Sequence, residues 1–281
     1  MKKFLSYAKI NIGLRIVGKR PDGFHTLESV FQEISLHDEV YFRRRKSGIL
    51  ILCNWKSVPT DERNLCYRVF QLFTRKFNIR EGVEIKLVKH IPVGSGLGGG
   101  SSNAATCIKA FSEMFQLDLS VPEMIRLAAR VGSDVPFFIP GKTALVKGRG
   151  EVVVPVRFLT DYRILLVLPN VQLSTAEIYK KFEMNLTKYA HHVKFEAVIL
   201  GIRNLEDLNY YLYNDLEQVA QTVYPELAGI RERLLASGAA YVSLTGSGSA
   251  MYGLYHKESD LEAVGELFSP DFRVYAAQPV T

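Results

Sequence analysis

Residues 92–105 read Pro92-Val93-Gly94-Ser95-Gly96-Leu97-Gly98-Gly99-Gly100-Ser101-Ser102-Asn103-Ala104-Ala105, with five glycines inside Gly94–Gly100. Upstream, Val83–Val88 reads as a strand. Downstream, Ala104, Ile108, Phe111 and Phe115 recur at the spacing of one helix face. A glycine loop between a strand and a helix start is an anion site. Glycines let backbone amides approach a phosphate, and the helix N-terminus adds free N–H groups and a partial positive charge. A tight turn needs one or two glycines; this run exceeds that. Ser101 and Ser102 add hydroxyl donors at the expected helix start.

The kind of phosphate loop follows from what the run lacks. No lysine follows Gly99-Gly100, which excludes a Walker A loop. No HRD or DFG sequence occurs, which excludes a protein kinase. Gly94–Gly99 fits GxGxxG, and Asp118 lies at about the distance of a ribose ligand, so a dinucleotide-binding oxidoreductase stays open as an alternative. Against it, only Glu113-Met-Phe-Gln-Leu117 separates the helix from Asp118, with no apolar second strand.

Outward from the loop, Leu5–Val17, Ser29–Ile34 and Glu39–Arg44 read as strands, and Asn64–Phe77 as an amphipathic helix. Arg20-Pro-Asp-Gly23 is a turn. Ser120-Val-Pro-Glu123 and Ser174-Thr-Ala-Glu177 have capping-box spacing, the second opening a helix to about Met184. Arg163–Leu168, Tyr241–Thr245, Ala250–Tyr255 and Phe272–Ala276 read as strands, with helices over Asp215–Val223, Glu226–Ala236 and Asp260–Phe268. Residues 185–214 show weak periodicity and no assignment. The order suggests a split βαβ sandwich in the second half. The fold class is therefore α/β (α+β) with two domains, residues 1–155 and 156–281.

Composition narrows the function classes. The 281 residues are 47% hydrophobic and 23% charged, which excludes disorder and fibres. Residues 1–150 carry 24 Lys and Arg against 13 Asp and Glu, whereas the remainder is net acidic. A basic half attracts anions: nucleic acid, anionic lipid or phosphorylated small molecules. The run Arg43-Arg-Arg-Lys46 has no interleaved aromatics, so a charged strand edge is the better reading and no nucleic-acid partner is expected. No apolar run approaches a membrane span, and Lys9, Asn11 and Arg15 interrupt any signal-like start, so a cytoplasmic protein without a membrane partner is expected. Three sparse cysteines, Cys53, Cys66 and Cys107, fit a reducing compartment. The oligomeric state stays open between monomer and weak dimer.

Four segments together resemble the GHMP kinases: residues 92–105, Ala8-Lys-Ile-Asn-Ile-Gly-Leu14 with Arg20-Pro-Asp-Gly-Phe-His25, Gly132-Ser-Asp-Val-Pro-Phe137, and Leu244-Thr-Gly-Ser-Gly-Ser249. Asn214-Asp-Leu-Glu217 adds a fifth. They run in family order along nearly the whole chain. The resemblance implies a ribosomal-protein-S5-domain-2-like N-terminal domain and a ferredoxin-like C-terminal domain. It implies ATP as phosphate donor, Mg²⁺ with unassigned ligands, and a small alcohol as acceptor. The opening segment and Phe24-His25 resemble the branch of the family that phosphorylates the 2-hydroxyl of a cytidyl diphosphate sugar alcohol in non-mevalonate isoprenoid synthesis.

The same resemblance distributes roles. Asp134 is the candidate base. Its ordinary reading is a turn aspartate, and Pro136 is expected to hold Val135 extended. Lys9, on the strand face that also carries Asn11, would stand beside Asp134, keep it ionised and orient the hydroxyl. Asn64, Leu65 and Lys89 would surround adenine. Pro92, Gly94, Ser95, Gly96, Leu97, Gly98, Gly99, Gly100, Ser101 and Ser102 would hold the phosphates. Asn11, Phe24, His25, Tyr179, Gly246 and Ser247 would hold the substrate, with Phe24 and Tyr179 stacking on cytosine and His25 hydrogen-bonding to it. Phe24 stands where the family often carries tyrosine, which keeps the stack and loses a hydroxyl.

Overall fold

A computed structural model describes residues 1–171, 173–183 and 194–281. β1 (Lys2–Lys19) and β2 (His25–Arg45) form a long antiparallel hairpin. Its turn is closed by Arg20 N donating to Phe24 O at 2.8 Å. β2 is one continuous strand, where the sequence suggested two. Residues 35 and 36 pass a register shift opposite Tyr7/Ala8, so the chain bends through a bulge and keeps its pairing. On its other edge, β2 pairs with β5 (Thr143–Gly148) through its first half and with β4 (Gly82–Val88) through its second. β3 (Ile49–Cys53) and β6 (Val152–Pro155), which the periodicity missed, complete a six-stranded sheet.

Helices cover this sheet. Asn64 caps α1 (Leu65–Phe77) by accepting from Cys66 N at 2.9 Å. α2 (Gly99–Met114) begins inside the glycine run, two residues earlier than the serine pair, with Gly98 as its left-handed N-cap. α3 (Val121–Ala129) carries the expected Ser120–Glu123 capping box. α2 is buried along most of its length, and Phe111 packs edge-on against Phe42, Phe70 and Phe73.

The second sheet is antiparallel, in the order β10-β7-β9-β8, from β7 (Arg163–Leu168), β8 (Tyr241–Leu244), β9 (Met251–Tyr255) and β10 (Arg273–Ala277). Together with the intervening helices this is the ferredoxin-like order. α4 (Thr175–Glu183), α5 (Phe195–Gly201), α6 (Asp207–Tyr211), α7 (Glu217–Val223) and α8 (Glu226–Ala236) lie between β7 and β8, and α9 (Leu261–Glu266) precedes β10. α5 and α6 occupy part of the stretch that sequence left unassigned. The expected helix end at Met184 and residues 185–193 lie outside the described residues.

The two sheets are tied together at β1. Ile16 N donates to Asp215 Oδ2 at 2.7 Å, and Tyr252 Oη donates to Asn11 O at 2.6 Å. After β10 the chain returns to β2, where Val280 N donates to Glu33 O at 2.9 Å. The basic run is not a bare edge: Arg43 lies in register with Glu84 on β4 and pairs with it.

Candidate active site

The carbonyls of the glycine loop are held by three hydrogen bonds, from β1 on one side and from the β8–β9 turn on the other. Lys9 N on β1 donates to Leu97 O at 2.9 Å, and Ala250 N donates to Ser95 O at 3.2 Å. Thr245 Oγ1 donates to Gly96 O at 3.2 Å. The loop is therefore clamped between β1 and the β8–β9 turn, and the first N–H groups of α2 lack intrahelical acceptors.

Below the loop lies a buried polar network. Lys89 Nζ pairs with Asp38 and donates to Asn103 Oδ1 at 3.0 Å. Asn103 Nδ2 donates to Asp38 Oδ2 and to Ser6 Oγ, each at 2.9 Å. The second oxygen of Asp38 accepts from His90 N and Ile91 N at 2.7 and 2.8 Å. Asp38 is wholly buried, and its charge is matched by one ammonium and by N–H groups of the segment that leads into the glycine loop. The sequence did not single out Asp38 or Asn103.

Two cavities meet at this loop. One, of about 340 Å³, is lined by Asn64, Leu65, Lys89, Pro92 and every residue from Gly94 to Ser101. It thus gathers the expected nucleotide residues. Ser102 is the exception: its hydroxyl is buried and accepts from Ser6 Oγ at 2.7 Å, because α2 starts earlier than expected and turns that position inward. The Lys89 ammonium faces the buried network rather than open space.

The second cavity, of about 700 Å³, is lined by Lys9, Asn11, Phe24, His25, Asp134, Tyr179, Gly246 and Ser247 among others. Gly96 and Gly98 border both cavities. Lys9 is 2% exposed, and burial pushes its amine below the ordinary 10.5 while Asp134 opposes that shift by its charge. Its Nζ donates to Asn11 Oδ1 and lies 4.8 Å over the Phe31 ring. Asn11 is itself fixed, since Asn11 Nδ2 donates to Ser29 Oγ at 3.1 Å and Asn11 N to Thr245 Oγ1 at 3.2 Å.

Asp134 follows the end of α3, where Gly132 N donates to Ala128 O at 3.2 Å. Val135 is not extended. It takes helical angles (φ −61°, ψ −40°), and Pro136 opens a 3₁₀ turn over Pro136–Phe138. Proline is tolerated at a first helical position, where its missing N–H had no partner, and its steric bias against a helical Val135 yields to the burial of the turn that follows. Buried Phe137 and Phe138 anchor that turn. In the larger cavity, the Tyr179 ring packs against His25 at 5.0 Å, and Phe24, 49% exposed, lies under Arg149 at 5.0 Å. Asn214 Nδ2 donates to Leu244 O and Gly246 O at 2.8 Å, fixing the β8–β9 turn.

Residues 64–142 match the profile of the GHMP kinases N terminal domain, and residues 196–268 that of the GHMP kinases C terminal. The chain is also 37% identical over 281 residues to the 4-diphosphocytidyl-2-C-methyl-D-erythritol kinase of Clostridium novyi (strain NT), covering 99% of each chain. The chain belongs to the GHMP kinases.

A second relative bearing the same enzyme name, from Shouchella clausii, is 38% identical over 258 residues, 92% of this chain and 86% of the relative. A crystal structure of 4-(cytidine 5'-diphospho)-2C-methyl-D-erythritol kinase superposes with a TM-score of 0.84 at 30% identity, over 100% of both chains. Homoserine kinase from Cytophaga hutchinsonii shares the fold at a TM-score of 0.78 and 18% identity, over 99% of this chain and 94% of that one. GHMP kinases use ATP as phosphate donor. The dinucleotide-binding alternative falls: α2 leads to α3 with no strand between, and Asp118 lies beyond the far end of α2 from the glycine loop. Among the described residues no helix is long and apolar enough to cross a membrane.

Proposed function

We propose that this protein phosphorylates the 2-hydroxyl of 4-diphosphocytidyl-2-C-methyl-D-erythritol with ATP, a step toward isoprenoid precursors by the non-mevalonate route. The observation that carries the reading is the meeting of the two cavities at Gly96 and Gly98, with Lys9 and Asp134 lining the substrate side of that junction. Relatives that match 92–99% of the chain bear the name of this enzyme.

ATP occupies the smaller cavity, with adenine beside Asn64 and Leu65 and the phosphates on the free N–H groups of Gly99–Ser101. The acceptor hydroxyl lies against Asp134, which takes its proton as the γ-phosphoryl group transfers. Lys9 holds that hydroxyl in line and offsets the charge of Asp134; its tether to Asn11 fixes the direction of the ammonium. Phe24, His25 and Tyr179 take the cytosine end, and Gly246 and Ser247 close the cavity from the second sheet. Mg²⁺, with ligands unassigned, would neutralise charge on the transferring phosphates. We assign residues 1–155 to the ATP-binding unit and 156–281 to the unit that completes the substrate cavity. The sparse, odd set of cysteines, Cys53, Cys66 and Cys107, fits a reducing, cytoplasmic location.

The test is ADP formation with ATP, Mg²⁺ and the cytidyl substrate, run beside mevalonate and homoserine. Turnover confined to the cytidyl substrate is expected. Turnover only with mevalonate or homoserine would overturn the substrate assignment and keep the family.

A further inference from the structure

The larger cavity is lined by a second cation besides Lys9, Arg149. Arg149 lies in the turn between β5 and β6, flanked by Gly148 and Gly150. The turn is pressed against the segment that carries Asp134. A Cβ on Gly150 would stand 2.4 Å from the carbonyl oxygen of Ser133, at a φ of +127° that a side chain rarely adopts. Arg149 N donates to Glu151 Oε2 at 2.7 Å, and Arg149 Nη2 donates to Ala129 O at 3.3 Å. The guanidinium carbon lies 5.0 Å over the Phe24 ring. Backbone, one N–H and the flat face of the group are thus all fixed, and the group bridges the base end of the cavity and the segment of Asp134.

The charges lining this cavity are unequal. Lys9, Arg149 and Lys180 face it as cations, against Asp134 as the carboxylate. Behind Arg149, Asp22, which feels its charge, and Glu151, which accepts from its backbone N–H, share one cation, Arg20. Lys9 is occupied beside Asp134. The lining groups alone leave a surplus of two positive charges, offset in part by those two carboxylates behind Arg149, and the balance still favours an anionic diphosphate diester. Between the two remaining lining cations, Arg149 and Lys180, the planar guanidinium offers parallel N–H donors suited to phosphate oxygens, and it is already oriented.

Resting on the function proposed above, we infer that Arg149 is the residue that selects the diphosphate of the cytidyl substrate. It stacks on Phe24 through its face and binds the diphosphate through its edge, so base and diphosphate are read by one pair of side chains.

The test is calorimetric titration of the enzyme, saturated with a non-hydrolysable ATP analogue, with cytidine and with CDP, together with steady-state kinetics, for wild type, Arg149→Ala and Arg149→Lys. Wild type is expected to prefer CDP over cytidine by ~10-fold or more, as charge-assisted phosphate contacts require. Arg149→Ala should lose most of that preference and raise the KM of the cytidyl substrate by a similar factor, with the KM of ATP within about twofold; Arg149→Lys should fall between, retaining charge without the fork. Equal loss of cytidine and CDP affinity in Arg149→Ala would overturn the inference and leave Arg149 as a support for Phe24. Unchanged CDP preference would overturn it as well. If wild type neither turns over the cytidyl substrate nor binds CDP, the functional reading fails and this inference with it; wild-type turnover with an indifferent Arg149→Ala sinks the inference alone.

Discussion

The carbonyl oxygen of Thr245 stands 2.2 Å from the place where a side chain on Gly96 would begin. Gly96 also takes φ +80°. One glycine therefore allows the phosphate loop of the first sheet and the β8–β9 turn of the second to touch, and this contact defines the border between the two cavities. Gly96→Ala should lower kcat/KM for both ATP and the alcohol and destabilise the fold by about 1–3 kcal/mol, from the positive φ and the displaced turn. Gly229→Ala, with open space around it in α8, should instead stabilise by about 0.5–1 kcal/mol without changing the kinetics. Urea unfolding and initial rates on both variants check the contrast. An active, stable Gly96→Ala enzyme would mean that the loop and the turn do not need to meet.

Asp134 is set between the end of α3 and two buried phenylalanines, so an amide can replace its carboxylate without moving the chain. Asp134→Asn is expected to reduce kcat by ~10²-fold or more while leaving the KM of ATP near wild type. Rates close to wild type would return Asp134 to a turn role.

Lys9 offers a check that needs no turnover. Burial lowers its pKa, and the charge of Asp134 raises it in part. Removing that charge in Asp134→Asn should move the Lys9 titration lower still, read by NMR on labelled lysine. Between the lowered folded value and the ordinary 10.5 the unfolded chain binds more protons, so this group contributes stability that grows as pH rises through that window. A Lys9 titration that is unmoved by the substitution would separate the two groups.

The Asp38–Lys89 pair is buried and shares its hydrogen bonds with Asn103 and backbone N–H groups. Asp38→Ala leaves an ammonium unpaired and should cost about 3–5 kcal/mol. Asp38→Ala combined with Lys89→Met should cost less than Asp38→Ala alone, because the orphaned charge is gone. Chemical denaturation of the two variants checks the order. If the double variant is the less stable, the pair is not the unit it is taken to be.

What the sequence disclosed and what it hid divide along the range of the interactions. The glycine run, the capping box at Ser120 and the βαββαβ order of the second half are local signals, and each is found where the residues put it. Continuous β2, short β3 and β6, and the Asp38–Asn103–Lys89 network depend on partners far along the chain. Arg149 was equally hidden: a Gly-Arg-Gly turn has no meaning until its guanidinium is seen over Phe24. The expected extension of Val135 failed because a local bias yielded to the anchoring of Phe137 and Phe138.

His25 begins β2, is 8% exposed, and packs its ring on Tyr179, so it joins the hairpin to α4 across the mouth of the substrate cavity. His25 does not line the smaller cavity, which shares Gly96 and Gly98 with the cavity that His25 lines. His25→Ala should therefore raise the KM of the cytidyl substrate by ~10-fold, the loss of one or two base contacts, and leave the KM of ATP within about twofold. His25→Asn keeps a donor and an acceptor on a shorter side chain and should recover part of the loss if hydrogen bonding dominates, or little of it if ring contact with Tyr179 and the base dominates. Equal increases in both KM values would show that His25 supports the whole site instead of the cytosine end.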